Sequence, residues 1–524
     1  MKRYINIFLL TICLIAPSCS NILDKDPDFV SPDNYYNTED ELNKALNGVY
    51  NRLIDTWGRM YSKGLFSYFA LSDEFYYKNV SVNSIKGMQM DAADLDIGRF
   101  WEVMYEGINR ANLLLKNVEG KDLDSPTKKA IKGEALFLRG YYYFLLTSYF
   151  GEVPLKLEPT ESANDKYLAK SSFRNIYAQI EKDMKEAEEL VFDIDHFGYN
   201  ERITKTGVQA ILARVYLKMA GEPLKDETRY EDALTYTNKV IESNLHSLNT
   251  SYSQIFINHS QDINDIRECI WEVGMYGNKI GTIDQAGMVG IENGILCPSE
   301  NLGYSGGALQ IQGKLYEAYE ATDLRRDWNI SPYCYVLNTT TTDVEKKVYT
   351  SSEIYNRNPG KWRREYELGE KSRSYNSTNF PVIRYSDVLL MKAEAENAVN
   401  HGPTSDAYDA INMVRRRAYG KPVNVADLSC DIPSGLDEVE FLQAVQDERF
   451  RELCFEGIRK LDLIRWGIYV ETMNNLANYV NSTAPTAFKY ASSAGKNTTA
   501  RNVVFPIPNT EITVNKLMTQ NKGW

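Results

Sequence analysis

The sequence predicts a mainly α protein, a scaffold of paired amphipathic helices interrupted by long irregular insertions and a few short strands. Three observations point there. Apolar residues recur at helical spacing over long stretches in both halves of the chain. Residues that start and stop helices bracket those stretches. The segments 244–384 and 421–437 lose the helical period and are rich in Gly, Asn, Ser, Thr and Tyr.

The elements follow in order. Thr38-Glu39-Asp40-Glu41 has the form of a capping box and opens a helix to about Asp55. Phe100 to Val118 carries apolar residues at helical spacing, Trp101, Met104, Tyr105, Ile108, Leu113 and Leu114. Pro126 suits a first helical turn, and Gly151 stops that helix after Phe150. Three helix pairs are then expected: Ala135 to Tyr149 with Phe173 to Val191, Lys205 to Ala220 with Tyr230 to Ser243, and Tyr385 to Val399 with Asp406 to Ala418. Small residues at their crossing points allow close approach. The pairs, at about 126–243 and 385–418, resemble irregularly spaced tetratricopeptide hairpins, which bury their apolar faces only by stacking. Glu268 to Met275 reads as a short strand, and Val503 to Trp524, with Pro506 and Pro508, as mainly extended.

Residues 1–18 read as an export signal. Met1-Lys2-Arg3 is a positive start, Ile5 to Ile15 is almost wholly apolar, and Ala16-Pro17-Ser18 precedes Cys19. The apolar run is shorter than the roughly 20 residues that span a bilayer. Cys19 directly after the cut points to acylation, although Ala16 stands where lipoprotein signals usually carry Leu. Residues 19–37 then form a lipid anchor and polar tether, and 38–524 a single domain. The net charge of −12 becomes more acidic still once Lys2 and Arg3 leave with the signal. That argues against nucleic acid as a partner, because its binding rests on Lys and Arg at phosphates.

Neither cysteine nor histidine suggests chemistry. Beyond Cys13 and Cys19 there remain Cys269, Cys297, Cys334, Cys430 and Cys454, with no CxxC pair. Cys454 reads as a small buried hydrophobe. A Cys297–Cys334 disulfide is open but does not follow from spacing. His196, His246, His259 and His401 are scattered, so no metal, cofactor or histidine-based catalysis is expected.

The densest charge lies between Gln446 and Trp466. Glu448, Glu452 and Glu456 recur at i, i+4 and i+8, a pattern that could suggest glycoside cleavage. Each has a cation within helical reach: Arg451 for Glu448, Arg449 for Glu452, and Arg459 and Lys460 for Glu456. Cations keep carboxylates ionised, whereas a general acid needs a raised pKa. The expected role is a structural charge network, and the chain is not expected to be an enzyme.

The same segment, from Glu448 to Gly467, resembles the ER-x-EL-x-FEG-x-R-x-x-DL-x-RWG pattern of the SusD/RagB family of Bacteroidetes outer-membrane lipoproteins. Further blocks agree in order. Phe137-Leu138-Arg139-Gly140-Tyr141-Tyr142-Tyr143-Phe144 is followed by Phe150-Gly151-Glu152-Val153-Pro154-Leu155. Then come Ile383 to Ala395, Phe505-Pro506-Ile507-Pro508 and Gln520-Asn521-Lys522-Gly523-Trp524. Lys516 and Lys522 stand where the family usually has proline. The resemblance covers essentially the whole mature chain. It implies a cell-surface, glycan-binding lipoprotein that acts as a lid on a SusC-type TonB-dependent transporter. Its helical face would pack on the transporter, its insertions would hold an oligosaccharide, and Cys19 would anchor it in the bilayer. The acidic Asp24-Lys25-Asp26 resembles the surface-export signals of such lipoproteins.

The family blocks are scaffold and do not locate a ligand. Sugars need aromatic rings with amide, carboxylate or cationic groups beside them. Two irregular segments carry such groups: 73–96, with Tyr76, Tyr77, Lys78 and Asn79, and 244–384, with Tyr276, Asn278, Asn301 and Tyr304. Tyr76, Tyr77, Asn79, Tyr276, Asn278, Asn301 and Tyr304 are the candidate ligand residues. Trp271 alternates with its strand neighbours and is expected in the core. Asp323, Arg325, Arg326 and Trp328 resemble a structural family element. A peptide-binding, RagB-like uptake protein and an interaction scaffold without a small ligand are the alternatives.

Overall fold

The computed structural model describes residues 35–55, 59–80, 84–118, 125–276, 286–338, 340 and 343–524. The signal, Cys19, nearly all of the tether and Asn278 lie outside the described residues. No helix among those described is long and apolar enough to cross a membrane.

Helix α1 (Glu39–Tyr50) starts with the expected capping box: Thr38 accepts from the Glu41 N–H, and Glu41 reaches back to the backbone of Thr38. Helix α2 (Leu95–Val118) and helix α3 (Pro126–Phe150) pack beside it. Pro126 is at the first turn of α3, and Gly151 ends it at φ 77°.

The three predicted pairs are present. Helix α3 packs on α4 (Phe173–Leu190), α5 (Lys205–Ala220) on α6 (Arg229–Glu242), and α8 (Tyr385–Val399) on α9 (Ser405–Ala418). Helix α7 (Tyr252–Ser260) lies within the insertion that separates the last two pairs. Gly133 shows why glycine stands on α3: a Cβ there would come within 2.8 Å of the Leu190 Cβ on α4. The α3–α4 pair is also clamped by Arg139, whose Nε and Nη2 donate to the Asp183 carboxylate at 2.8 and 2.7 Å. Glu188 on α4 accepts from Gln209 on α5 and from Tyr236 and Lys239 on α6, so one buried carboxylate joins successive pairs. Helix α8 packs against α6 and against α10 (Glu438–Glu452), which completes the stack.

Among the described residues, six short strands decorate this scaffold in three antiparallel two-stranded ladders: β1 (Phe75–Tyr77) with β3 (Leu309–Ile311), β2 (Cys269–Val273) with β6 (Phe380–Arg384), and β4 (Tyr333–Leu337) with β5 (Val344–Val348). Trp271 on β2 is fully buried against Phe137 and Tyr141 of α3, as its alternation predicted. One expectation needs correction, and one open question closes. The C-terminal segment is not mainly extended, since it contains a short helix at Asn509–Val514 and a 3-10 turn at Ala500–Val503. All five described cysteines are free, so Cys297 and Cys334 form no disulfide.

The charge network is buried and differently wired from the i,i+4 pattern. Helix α10 ends at Glu452, and the chain then turns through Phe455 at φ 63° and Gly457 at φ 79°. Any side chain at Gly457 would collide with the Leu65 carbonyl oxygen, 2.4 Å from a Cβ. Glu456 therefore leaves the helix, and its partners come from distant segments: Arg384 and Lys361. Glu452 accepts from Arg325, Arg384 and Arg417, and Glu448 from Arg325, Arg415 and Arg451. Arg449 instead bridges Asp387 of α8 and Asp462 of α11 (Arg459–Arg465). Arg459 holds Asp73, and the Lys460 ammonium has no hydrogen-bond partner among the described residues. Arg325 also closes on Asp323, so the Asp323–Arg325 element is structural, as expected. Burial would raise the Glu452 carboxyl, but the surrounding Arg417, Arg384 and Arg325 outweigh it and bring it from 4.5 down to about 2.

Candidate functional site

The two irregular segments proposed for ligand contact meet in one ladder. Phe75 pairs with Ile311, Tyr76 with Gln310 and Tyr77 with Leu309, and the Lys78 N–H donates to the Ala308 carbonyl at 3.0 Å. This pairing overturns part of the candidate list. Tyr76 and Tyr77 are only 3% and 2% exposed and lie in the core rather than on a loop. The Tyr76 hydroxyl is used up on the Tyr355 carbonyl at 2.7 Å. The reason is that Phe75-Tyr76-Tyr77 forms a strand covered on both faces, and an apolar run of three cannot reveal that from sequence.

Beyond the strand the chain surfaces. Lys78 and Asn79 are exposed, and with Val80 and Gln89 they line a cleft of about 620 Å³. Its opposite wall is Tyr490, Ser493, Lys496 and Asn497, from a C-terminal segment the candidate list did not contain. Tyr490 is the aromatic of this cleft, 39% exposed. Buried Tyr76 meets it edge-on, with ring centroids 5.7 Å apart, and so fixes the exposed ring. Partial burial raises the Tyr490 phenol above its ordinary value, which keeps its hydroxyl protonated as a donor. The second wall is pinned to the first by Asn497, whose Nδ2 donates to the Gly87 carbonyl at 2.8 Å. The cleft thus presents one ring, two ammonium groups and three side-chain amides around open space. The only sequence signal for Tyr490 was an aromatic in a non-helical stretch between Pro485 and Ser493.

The other candidates lie elsewhere. Tyr276 is 54% exposed and lines a separate pocket of about 560 Å³ with Tyr50, Tyr199, Arg202 and Asn379. Asn301 is exposed, and Tyr304 is half-buried with the Arg373 guanidinium 4.0 Å from its ring centre. Neither lines the cleft. Trp362 is core, 1% exposed. A cavity of about 950 Å³ lies between α2 and residues 508–515. Its Trp101 is turned inward at 6% exposure, and Tyr105 spends its hydroxyl on the Pro154 carbonyl, so it offers a polyhydroxyl ligand less than the Tyr490 cleft does.

Comparison with known proteins agrees with this architecture. A family model described as "SusD family" matches residues 304–524, and one described as "Starch-binding associating with outer membrane" matches residues 21–217. A SusD-like protein of Formosa agariphila is 24% identical over 518 residues, covering 90% of each chain. The starch-binding protein SusD of Bacteroides thetaiotaomicron is 24% identical over 467 residues, covering 80% of this chain and 76% of that one. Among solved structures, a SusD homolog from Bacteroides thetaiotaomicron superposes with a TM-score of 0.86 at 28% identity, covering 94% of this chain and 98% of the other. A laminarin-binding SusD-like protein superposes with a TM-score of 0.70 at 21% identity, covering 93% and 100%. With family models on both halves and a shared helical stack throughout, the chain belongs to the SusD/RagB family.

Proposed function

We propose that this protein captures an oligosaccharide at the bacterial cell surface, anchored in the outer membrane through an acylated Cys19, and serves as the lid of a SusC-type TonB-dependent transporter. The observation that carries the reading is the exposed Tyr490 ring, held by Tyr76 and flanked by Lys78, Asn79, Lys496 and Asn497. An aromatic face accepts the apolar face of a sugar ring, while amides and ammonium groups take its hydroxyls. Relatives named for starch and laminarin binding support a glycan as the ligand class. The carboxylates that could have suggested glycoside cleavage are fully buried against arginine, so they neither reach a substrate nor act as general acids.

A glycan array followed by calorimetry tests the proposal. The wild type is expected to bind one class of oligosaccharide, and Tyr490→Ala and Asn79→Ala to weaken that binding. Glycan binding that both variants leave intact would remove the cleft from the proposal. Binding of peptides and of no glycan would favour the peptide-uptake alternative.

A further inference from the structure

His259, Cys269 and Glu272 come together in the core, away from the Tyr490 cleft, although no spacing in the sequence links them as ligands. His259 lies near the end of α7, while Cys269 and Glu272 belong to β2. In a regular strand, residues three apart point to opposite faces. The β2–β6 ladder shifts register between Cys269 and Trp271 and again between Trp271 and Glu272. Such irregularities re-aim side chains, and here Cys269 and Glu272 both turn toward His259. One imidazole nitrogen, the Cys269 sulfur and one Glu272 oxygen all lie within 4.8 Å of one another.

The hydrogen bonding around this group is incomplete. His259 is 2% exposed, Cys269 0% and Glu272 1%. The His259 Nδ1 stands 3.0 Å from Glu272 Oε2. Even so, neither ring nitrogen nor Oε2 has a hydrogen-bond partner, so the oxygen lies off the direction of the ring N–H. The other oxygen, Oε1, is held by Asn379 at 3.0 Å and Asn264 at 3.2 Å. Leaving buried polar groups without partners costs stability, because their lost hydration is not replaced. One of these imidazole nitrogens and one Glu272 oxygen share a space under 4.8 Å across with the Cys269 sulfur, room that a cation bonded to all three would fill. The Cys269 thiol is raised well above its ordinary value by burial first and by Glu272 second, so alone it stays protonated. A cation there would reverse that, because a coordinating thiol gives up its proton.

We propose that His259, Cys269 and Glu272 bind a zinc-type divalent cation that ties α7 to β2. Nitrogen, sulfur and oxygen donors together suit a borderline metal rather than calcium or magnesium. Bonds of about 2.0 Å to N and O and about 2.3 Å to S place ligand atoms roughly 3.5 Å apart, a spacing that fits inside the 4.8 Å within which all three donors lie. Asn379 and Asn264 orient the carboxylate from behind, as outer partners do in metal sites. Glu272 also forms part of the wall of the Tyr276 pocket, which Glu201 and Asp262 line as well. On binding, the Cys269 proton leaves as the sulfur–metal bond forms.

The test uses the mature wild-type chain. After incubation with zinc and exhaustive dialysis, elemental analysis should find one equivalent retained, and thermal melting should shift upward. With cobalt in place of zinc, a thiolate-to-cobalt absorption band should appear. Cys269→Ser should abolish the band and the retained metal, while Cys454→Ser, a change at another buried cysteine, should leave both intact. Failure of wild-type protein to retain zinc or to show the cobalt band overturns the proposal. A band that survives in Cys269→Ser overturns it as well. The wild-type cobalt spectrum decides the matter even if the serine variant fails to fold.

Discussion

Arg384 and Glu456 are joined by two hydrogen bonds, Nε to Oε2 at 2.9 Å and Nη2 to Oε1 at 2.7 Å, with the pair sealed from solvent. Arg384 ends β6, and Glu456 sits in the turn after α10. The contact locks the strand that leads into the last helix pair to the turn that carries the family motif. Arg384 also donates to Glu268 and Glu452. Removing one partner of a buried pair leaves an uncompensated charge. Arg384→Met should therefore lower stability by roughly 3–5 kcal/mol, read from urea unfolding; a loss under about 1 kcal/mol would contradict this wiring.

Acid should dismantle the same network. Burial raises the Asp387 carboxyl, but Arg449 and Arg214 outweigh it and hold it at about 2 instead of 3.8. Glu452 is likewise held at about 2 instead of 4.5. Both are depressed in the folded state, so their stabilisation is complete above the unfolded values and is lost as pH falls through the folded ones. Through these two groups the urea midpoint should drop steadily from about pH 4.5 toward about pH 2. A flat midpoint across that window would argue against it.

Lys460 predicts a slope of the same sign on the alkaline side. Its ammonium is buried without a hydrogen-bond partner, 4.4 Å from the Phe505 ring centre. Burial lowers it from 10.5 to about 7. Between those values the unfolded chain binds more protons, so stability should rise with pH. Lys460→Met should stabilise the protein at pH 7 by a few kcal/mol, because it removes an unpaired buried cation of similar volume. It should also flatten the slope, with Lys218, lowered by burial to about 7, supplying the remainder. A lower melting temperature for Lys460→Met would refute this.

Helix α10 carries Glu448, Arg449, Arg451 and Glu452 of the charge network, so its start matters. The Asp437 side chain accepts from the Val439 and Glu440 N–H groups, and Glu440 completes the capping box. Asp437→Ala should cost about 1 kcal/mol, visible as a shift in the denaturant midpoint without a change in slope.

At the cleft, Tyr490→Ala should weaken glycan affinity roughly tenfold or more, the equivalent of about 1.4 kcal/mol, while Tyr490→Phe should retain most of it. Equal losses in the two variants would assign the effect to the hydroxyl rather than to the ring. At the anchor, Cys19→Ala should move the folded protein from the membrane fraction to the soluble one; recovery in the membrane fraction would sink the tether reading.

Most of the scaffold was legible from local rules. The helices at Pro126–Phe150, Lys205–Ala220 and Tyr385–Val399 stand where caps, glycines and apolar period placed them. Period and capping act within a turn or two, so sequence carries them directly. The candidate site was legible only in part. Asn79 reached the cleft, but Tyr76 and Tyr77 did not, because pairing with Leu309 and Gln310, more than 200 residues away, decides their burial.

The sequence by itself determined the paired helices, the acidic balance, the export-signal pattern ahead of Cys19 and the structural nature of Glu448, Glu452 and Glu456. Tertiary structure alone decided which arginine meets which carboxylate. It also decided that Tyr490 rather than Tyr76 faces the cleft, and that His259 meets Cys269 and Glu272. Local structure follows from neighbours in the chain. Side-chain partnership and exposure follow from distant segments packing together, and nothing in the spacing of residues encodes that directly.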